Sequence, residues 1–98
     1  MSKEDFTTTN KGHRALIKTT ELNQDWQQLA VDVYAVASEK FTENKDIAEF
    51  IKKEFDLLHT GVWHCIVGKD FGCYVSHLSG GFSYFHIESK GILLFRTR

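Results

Sequence analysis

The sequence predicts an α+β fold in which two helices pack on an antiparallel sheet. Two consecutive segments in the first sixty residues carry apolar side chains at a spacing near four, as one face of a helix does. From Val62 onward the spacing changes to about two, and the composition becomes β-branched and aromatic with turn residues between the runs. The predicted order is β-α-α-β-β-β-β, and helices grouped before most of the strands are typical of α+β domains.

The first three elements are predicted from local signals. Residues 15–20 form a short strand-like run, ALIKTT. Asn23 is an expected N-cap, and the helix that follows spans about 17 residues because apolar side chains recur through it at helical spacing. The second helix begins at residues 44–46 and ends before Gly61, a residue that commonly follows a helix C-terminus.

Four strand-like runs follow, at residues 62–67, 71–77, 82–87 and 91–96. The first two flank a Gly-Lys-Asp joint and are predicted to form a local hairpin. Gly72 stands next to Cys73 in the second run, and glycine inside a strand often marks the close approach of another backbone.

Side chains of the run 82–87 alternate between two faces of the strand, and one of the two sets must face the helices. The side chains are Phe82, Tyr84 and His86 in one set, and Ser83, Phe85 and Ile87 in the other. The set that does not face the helices is either an aromatic surface for a protein partner or ordinary core, and the pattern leaves both open.

Length and composition bound the function. With 98 residues the chain is one domain, expected at residues 14–98 after a flexible, polar extension at residues 1–13. A formal net charge of −1 does not favour nucleic acid, and no apolar run approaches the ~18 residues that a membrane span needs. Two cysteines without an export signal predict free thiols in the reducing cytosol.

The histidines and cysteines do not predict an enzyme. His64 and Cys65 are adjacent on a strand, so their side chains point to opposite faces and cannot readily form a nucleophilic pair. Cys65 and Cys73 lack the spacing of common zinc sites, and no phosphate-binding or dinucleotide-binding glycine motif is present. We therefore expect a non-catalytic binding module without a cofactor or metal.

Four strings resemble a known family. They are KDIAEFIKKEFD at residues 45–56, WHCIVGKDFGCYVSH at residues 63–77, FSYFHI at residues 82–87 and ILLF at residues 92–95. Together they closely resemble the smallest cytoplasmic dynein light chains, from about residue 14 to residue 95. The resemblance implies a strand-swapped homodimer with two β-sheets and the helices outside, in which residues 71–77 join the sheet of the other subunit.

The resemblance also implies a function. Members of this family bind short linear motifs of other proteins as an added strand, with a preference for a Thr-Gln-Thr-like core. The implied partners are the dynein intermediate chain and similar segments, and the implied location is the cytoplasm and the microtubule cytoskeleton. The implied peptide-binding residues are Asn44, Lys45, Lys69, Asp70, Phe71, Gly72, Cys73, Tyr74, Val75, Ser76, His77, Phe82, Tyr84 and His86. The implied dimer-interface residues are Lys52, His64, Phe71, Cys73, Tyr74 and Ser76.

Three groove positions differ from the family pattern. His86 stands where tyrosine is common, Cys73 where serine is common and Asn44 where an acid is usual. Weaker and pH-sensitive binding of typical ligands is expected from His86, and protonation of His64 is a hypothetical switch of the dimer. Two alternatives stay open, a specialised axonemal or cortical structural paralogue that uses residues 1–13, and a small thiol- or histidine-based enzyme.

Overall fold

A computed structural model describes residues 5–8 and 12–98 of the chain. Five strands and two helices follow one another as β1 (Asp5–Thr8), β2 (Arg14–Thr20), α1 (Gln24–Lys40), α2 (Asn44–Leu58), β3 (Val62–Gly68), β4 (Phe82–Ile87) and β5 (Lys90–Thr97). None of the described helices is long and apolar enough to cross a membrane.

All five strands form one antiparallel sheet in the order β1-β2-β4-β5-β3. β3 pairs with β5 along its whole length, from Val62 opposite Thr97 to Gly68 opposite Gly91. The predicted α+β class, with two helices on an antiparallel sheet, is confirmed. The order leaves β1 at one edge of the sheet and β3 at the other.

The helices begin and end as local chemistry predicts. The side chain of Asn23 accepts a 2.8 Å hydrogen bond from the backbone N–H of Trp26 and so caps α1. α2 has no such side-chain cap, and instead the carbonyl of Glu43 accepts the N–H groups of Asp46 and Ile47. The first N–H groups of α2 therefore remain available to other acceptors.

Both helices cover the same face of the sheet. Ser83, Phe85 and Ile87 of β4 are buried on that face, and the Ser83 hydroxyl donates a 2.5 Å hydrogen bond to Gln27 of α1. Trp63 of β3 is fully buried with its ring centroid 4.9 Å from that of Phe55 in α2. The prediction that one alternate set of β4 meets the helices is confirmed, and the other set lies on the opposite face, called the outer face below.

The predicted hairpin between residues 62–67 and 71–77 is wrong for the single chain. Residues 71–78 have no regular secondary structure, and β3 pairs with β5 instead. A period of two makes a segment suitable for a strand but does not select its partner, and β5 offers β3 an uninterrupted partner through seven residue pairs.

Part of the predicted flexible extension lies within the described residues. Asp5–Thr8 is a strand, β1, that pairs antiparallel with β2 from Asp5 opposite Ile17 to Thr8 opposite Arg14. The threonines are β-branched and favour extended backbone, which is a local signal for a strand. The rest of the predicted extension, apart from Gly12 and His13, lies outside the described residues.

Candidate interaction site

The outer edge of β3 is an open strand edge. Within the described residues β3 pairs only with β5, so its second row of backbone N–H and C=O groups meets no strand. An unpaired edge of this kind is a template for strand addition. Ile66 lies in this edge strand and is 42% exposed, although isoleucine is usually buried in folded proteins.

A groove runs between this edge and the first half of α2, with a cavity of about 760 Å³. Its lining residues are Asn44, Lys45, Ala48, Glu49, Lys52, Trp63, His64, Cys65, Ile66, Val67 and Phe95. Asn44, Ala48 and Lys52 recur every four residues and so lie on one side of α2. The small side chain of Ala48 in the middle of this row keeps the groove open.

Asp56 connects the second half of α2 to the start of β3. Lys52 pairs with Asp56 one turn later, and the Asp56 carboxylate also accepts a 2.8 Å hydrogen bond from the backbone N–H of Trp63. Burial alone would raise the pKa of Asp56, but the hydrogen bonds from Lys52 and Trp63 hold that pKa below its ordinary value. The carboxylate is therefore charged at neutral pH and holds α2 and β3 at a set separation.

Groove residues on the two faces of β3 have different surroundings. His64 stacks on Phe95 of β5 with ring centroids 5.0 Å apart, and its Nε2 lies 2.9 Å from the Thr97 hydroxyl oxygen. Cys65 packs against the core, and burial raises the pKa of its thiol well above the ordinary value. A protonated thiol is a poor nucleophile.

Residues 71–77, called the protruding segment, run over the outer face and are attached at both ends. The Phe71 ring contacts Tyr84 edge-on at 5.8 Å between centroids, and the His77 ring stacks on Phe82 at 4.7 Å. Between these anchors the segment is largely exposed, and the Tyr74 side chain is 100% exposed. A tyrosine in a strand-forming stretch is thus held away from its own domain.

Tyr84 and His86 form a hydrogen-bonded pair beside the first anchor. The Tyr84 hydroxyl oxygen lies 2.8 Å from His86 Nε2, and the two rings meet edge-on at 5.1 Å. Gly91 lies opposite His86 on β5, and a Cβ there would approach Tyr84, His86 and Phe71 to 3.4–3.5 Å. The absence of a side chain at Gly91 gives this aromatic group its space.

Within one chain the predicted site residues separate into three groups. Asn44, Lys45, Lys52 and His64 line the groove. Phe71, His77, Phe82, Tyr84 and His86 lie together on the outer face. Lys69, Asp70, Gly72, Cys73, Tyr74, Val75 and Ser76 lie in or just before the protruding segment and do not line the groove. Their roles in binding and in the dimer interface stay predictions.

Sequence reasoning missed several lining residues. They are Ala48, Glu49, Trp63, Cys65, Ile66, Val67 and Phe95. The spacing of Asn44, Ala48 and Lys52 could have predicted the side of the groove that α2 forms. The side formed by β3 could not be predicted in this way, because it depends on which edge of β3 is open. No group of three or more metal-binding side chains occurs among residues 5–8 and 12–98.

Comparisons with known proteins agree on one family. The sequence model described as "Dynein light chain type 1" matches residues 14–97. A protein named "Dynein light chain, cytoplasmic" from Emericella nidulans is 45% identical over 82 residues, which cover 84% of this chain and 87% of that protein.

Solved structures show the same fold at lower identity. The dynein light chain-like domain of the Fasciola hepatica calcium binding protein FhCaBP2, as a mercury derivative, superposes with a TM-score of 0.67 at 22% identity, over 86% of this chain and 92% of that chain. Its native structure gives a TM-score of 0.68 at 21% identity, over 86% and 91% of the two chains. At these identities the likeness concerns the fold alone.

Proposed function

The chain belongs to the dynein light chain family, and from that premise we propose that it is a non-catalytic dimeric hub of the cytoplasmic dynein motor. In this role it binds short linear motifs of partner proteins by β-strand addition and holds two partner chains side by side. Its place is the cytoplasm and the microtubule cytoskeleton, in keeping with the name of its relative from Emericella nidulans, a cytoplasmic dynein light chain.

One observation carries the dimer part of the proposal: the chain holds an open strand edge and an unpaired strand-forming segment at the same time. The outer edge of β3 meets no strand within the described residues, and residues 71–77 have strand-forming composition but no strand partner. In two copies related by a two-fold axis, the protruding segment of each copy can pair with the open β3 edge of the other, so that neither is left unpaired.

This exchange also brings the predicted residues of the protruding segment next to those that line the groove. The partner's protruding segment, when paired with β3, lies next to Lys52 and His64, which line the groove. The exposed Tyr74 then gains a covered position, and its burial contributes to the stability of the dimer. Because the interface would include strand pairing, the stability of the protein should depend on its concentration.

The remaining opening of the groove suits an extended peptide. Once the partner's strand occupies the β3 edge, the free edge of that strand faces Asn44, Lys45 and Ala48 on α2. Backbone hydrogen bonds to that edge give affinity that tolerates different sequences. The uncapped N–H groups at the start of α2 can donate to the side-chain oxygen of a glutamine, which fits a Thr-Gln-Thr-like core.

A symmetric dimer has two such grooves. Docking of one segment of a paired partner makes the second docking intramolecular, and the overall affinity can rise by ~10²–10⁴ without new contacts. The dynein intermediate chain is the expected partner of this kind. The mechanism is therefore to clamp two flexible chains together.

Titration calorimetry tests the proposal directly. We expect a Thr-Gln-Thr peptide to bind with one peptide per chain, and Lys45→Ala, which changes the groove wall, to weaken that binding. Lys40→Ala is the matched control, because Lys40 lies at the end of α1 and does not line the groove. No measurable heat with the wild-type protein, or equal affinities for the two variants, would contradict the proposed site.

A second candidate function is a specialised axonemal or cortical structural paralogue. The observation that favours it is β1, which adds a strand to the sheet at residues that precede the family match at residues 14–97. A pull-down of partners with the full chain and with residues 1–13 removed separates the two functions. A general hub retains its partners after the deletion, and a specialised paralogue loses them.

A further inference from the structure

Residues 77–81, called the return limb, lead from the protruding segment back to β4 and are bonded to the end of β5. The Leu78 N–H donates to the Arg96 carbonyl at 2.8 Å, and the Arg96 N–H donates to the Gly81 carbonyl at 2.8 Å. The Gly81 N–H donates to the Leu78 carbonyl at 3.0 Å and closes a turn. The return limb is therefore ordered although the protruding segment is exposed.

The side chain of Arg96 adds a second attachment. Its guanidinium carbon lies 5.4 Å from the ring centroid of Trp63 and 5.7 Å from that of Trp26, close enough for cation–π attraction to both rings. Nη1 donates to the Thr60 carbonyl at 3.3 Å, and Nη2 donates to the Ser79 carbonyl at 3.4 Å. One planar group thus connects the loop after α2 to the return limb.

Two glycines make room for this side chain. A Cβ at Gly61 would lie 2.5 Å from Cδ of Arg96, and a Cβ at Gly81 would lie 2.8 Å from its Cβ. Gly61 also has a φ of +96°, which glycine adopts readily. With Arg96 in this position, a side chain at either glycine would have to displace it.

Glu21 attaches the return limb from the opposite side. Its Oε1 accepts a 3.0 Å hydrogen bond from the Gly80 N–H, and its Oε2 lies 3.8 Å from Nε2 of His77. The return limb is held by Arg96 and Glu21, whereas the tip around Tyr74 is held by neither. This contrast sets the direction in which the tip leaves the domain.

We propose that Arg96 is a positioning residue for strand exchange, which fastens the return limb so that the protruding segment points toward a second copy of the chain. The inference rests on the proposed function and names the residue that prepares its dimer. A return limb without this attachment samples more conformations, and pairing with the partner must then order it at an additional entropic cost.

The test compares three variants by sedimentation over a dilution series. For Arg96→Ala we expect the dimer dissociation constant to rise about tenfold, the size expected for losing a few weak contacts of a charged group. Arg96→Lys should lie between this variant and the wild type, because an ammonium cannot reach two carbonyls as a planar fork does. Arg98→Ala, which removes an exposed arginine two residues away, is the matched control and should leave the constant unchanged.

A second readout separates positioning from general stabilisation. The dissociation constant measures the free-energy difference between two folded monomers and the dimer. A substitution that destabilises the monomer and each subunit of the dimer equally therefore leaves this constant unchanged. We also expect faster hydrogen exchange of the Leu78 amide in Arg96→Ala while the amides of α1 keep their protection. If the dimer dissociation constants of Arg96→Ala and Arg98→Ala agree within about twofold, this inference is overturned, but the proposal that the chain forms a dimer is not. A wild-type protein that stays monomeric at every concentration would instead overturn the proposed function.

Discussion

Removing the Tyr74 side chain tests the proposed dimer with little effect on the single chain. In one chain Tyr74 is 100% exposed, so Tyr74→Ala removes almost no buried area from the isolated domain. In the proposed dimer the ring lies between the two subunits. Full burial of a large apolar side chain is worth roughly 1.5–3 kcal/mol, and a symmetric dimer contains two copies, which gives about 3–6 kcal/mol.

This energy corresponds to a rise in the dimer dissociation constant of about 10²–10⁴. Sedimentation velocity over a dilution series measures the constant, and far-ultraviolet circular dichroism checks that the variant keeps its secondary structure. Leu57→Ala is the control, because Leu57 is also apolar and 80% exposed but does not line the groove or belong to the protruding segment. If Tyr74→Ala dissociates within about twofold of Leu57→Ala, Tyr74 is not buried in the dimer and the reasoning fails.

Three further predictions concern titratable side chains. His86→Tyr should tighten peptide binding, because tyrosine presents a larger aromatic ring beside Tyr84 on the outer face; calorimetry with a Thr-Gln-Thr peptide that gives equal affinities for variant and wild type would count against this. Burial and the charge of Arg96 lower the pKa of His59 in the folded protein. The neutral imidazole therefore contributes its full stabilisation at pH values above about 6.5, the ordinary pKa of histidine, and this contribution is lost as the pH falls through the lowered pKa. His59→Phe should therefore lose less stability than the wild type on acidification, as denaturant midpoints at equal protein concentration would report, and equal losses would refute the assignment. Because burial raises the pKa of the Cys65 thiol, mass spectrometry after iodoacetamide treatment at about pH 8 should find Cys65 modified more slowly than the exposed Cys73, and equal rates at the two cysteines would contradict this.

The sequence was sufficient for elements whose signals are local. The Asn23 cap and the helical spacing after it predict α1, which the structure has at Gln24–Lys40. Alternation in FSYFHI predicts two faces of β4, and Phe85 and Ile87 on one of them are buried against the helices. In each case the residues that decide the structure are neighbours in the chain.

Features that depend on distant residues could not be predicted in the same way. The period of two at residues 71–77 is the same whether the segment pairs within the chain or with another chain, so it cannot identify the partner of β3. The groove also combines Asn44 of α2 with Ile66 of β3. The edge beside Ile66 is open because β3 is the last strand in the order of the sheet, and that order is set by residues far apart in the chain. The strand β1 has only four residues in a polar segment, and the β propensity of its threonines is too weak a signal to distinguish a short strand from a flexible extension.

Isotope-filtered nuclear magnetic resonance on an equimolar mixture of labelled and unlabelled chains tests strand exchange most directly. The account predicts intermolecular contacts between residues 71–77 of one chain and Val62–Gly68 of the other. Contacts between these two segments that arise only within one chain, or no intermolecular contacts at all, would contradict it.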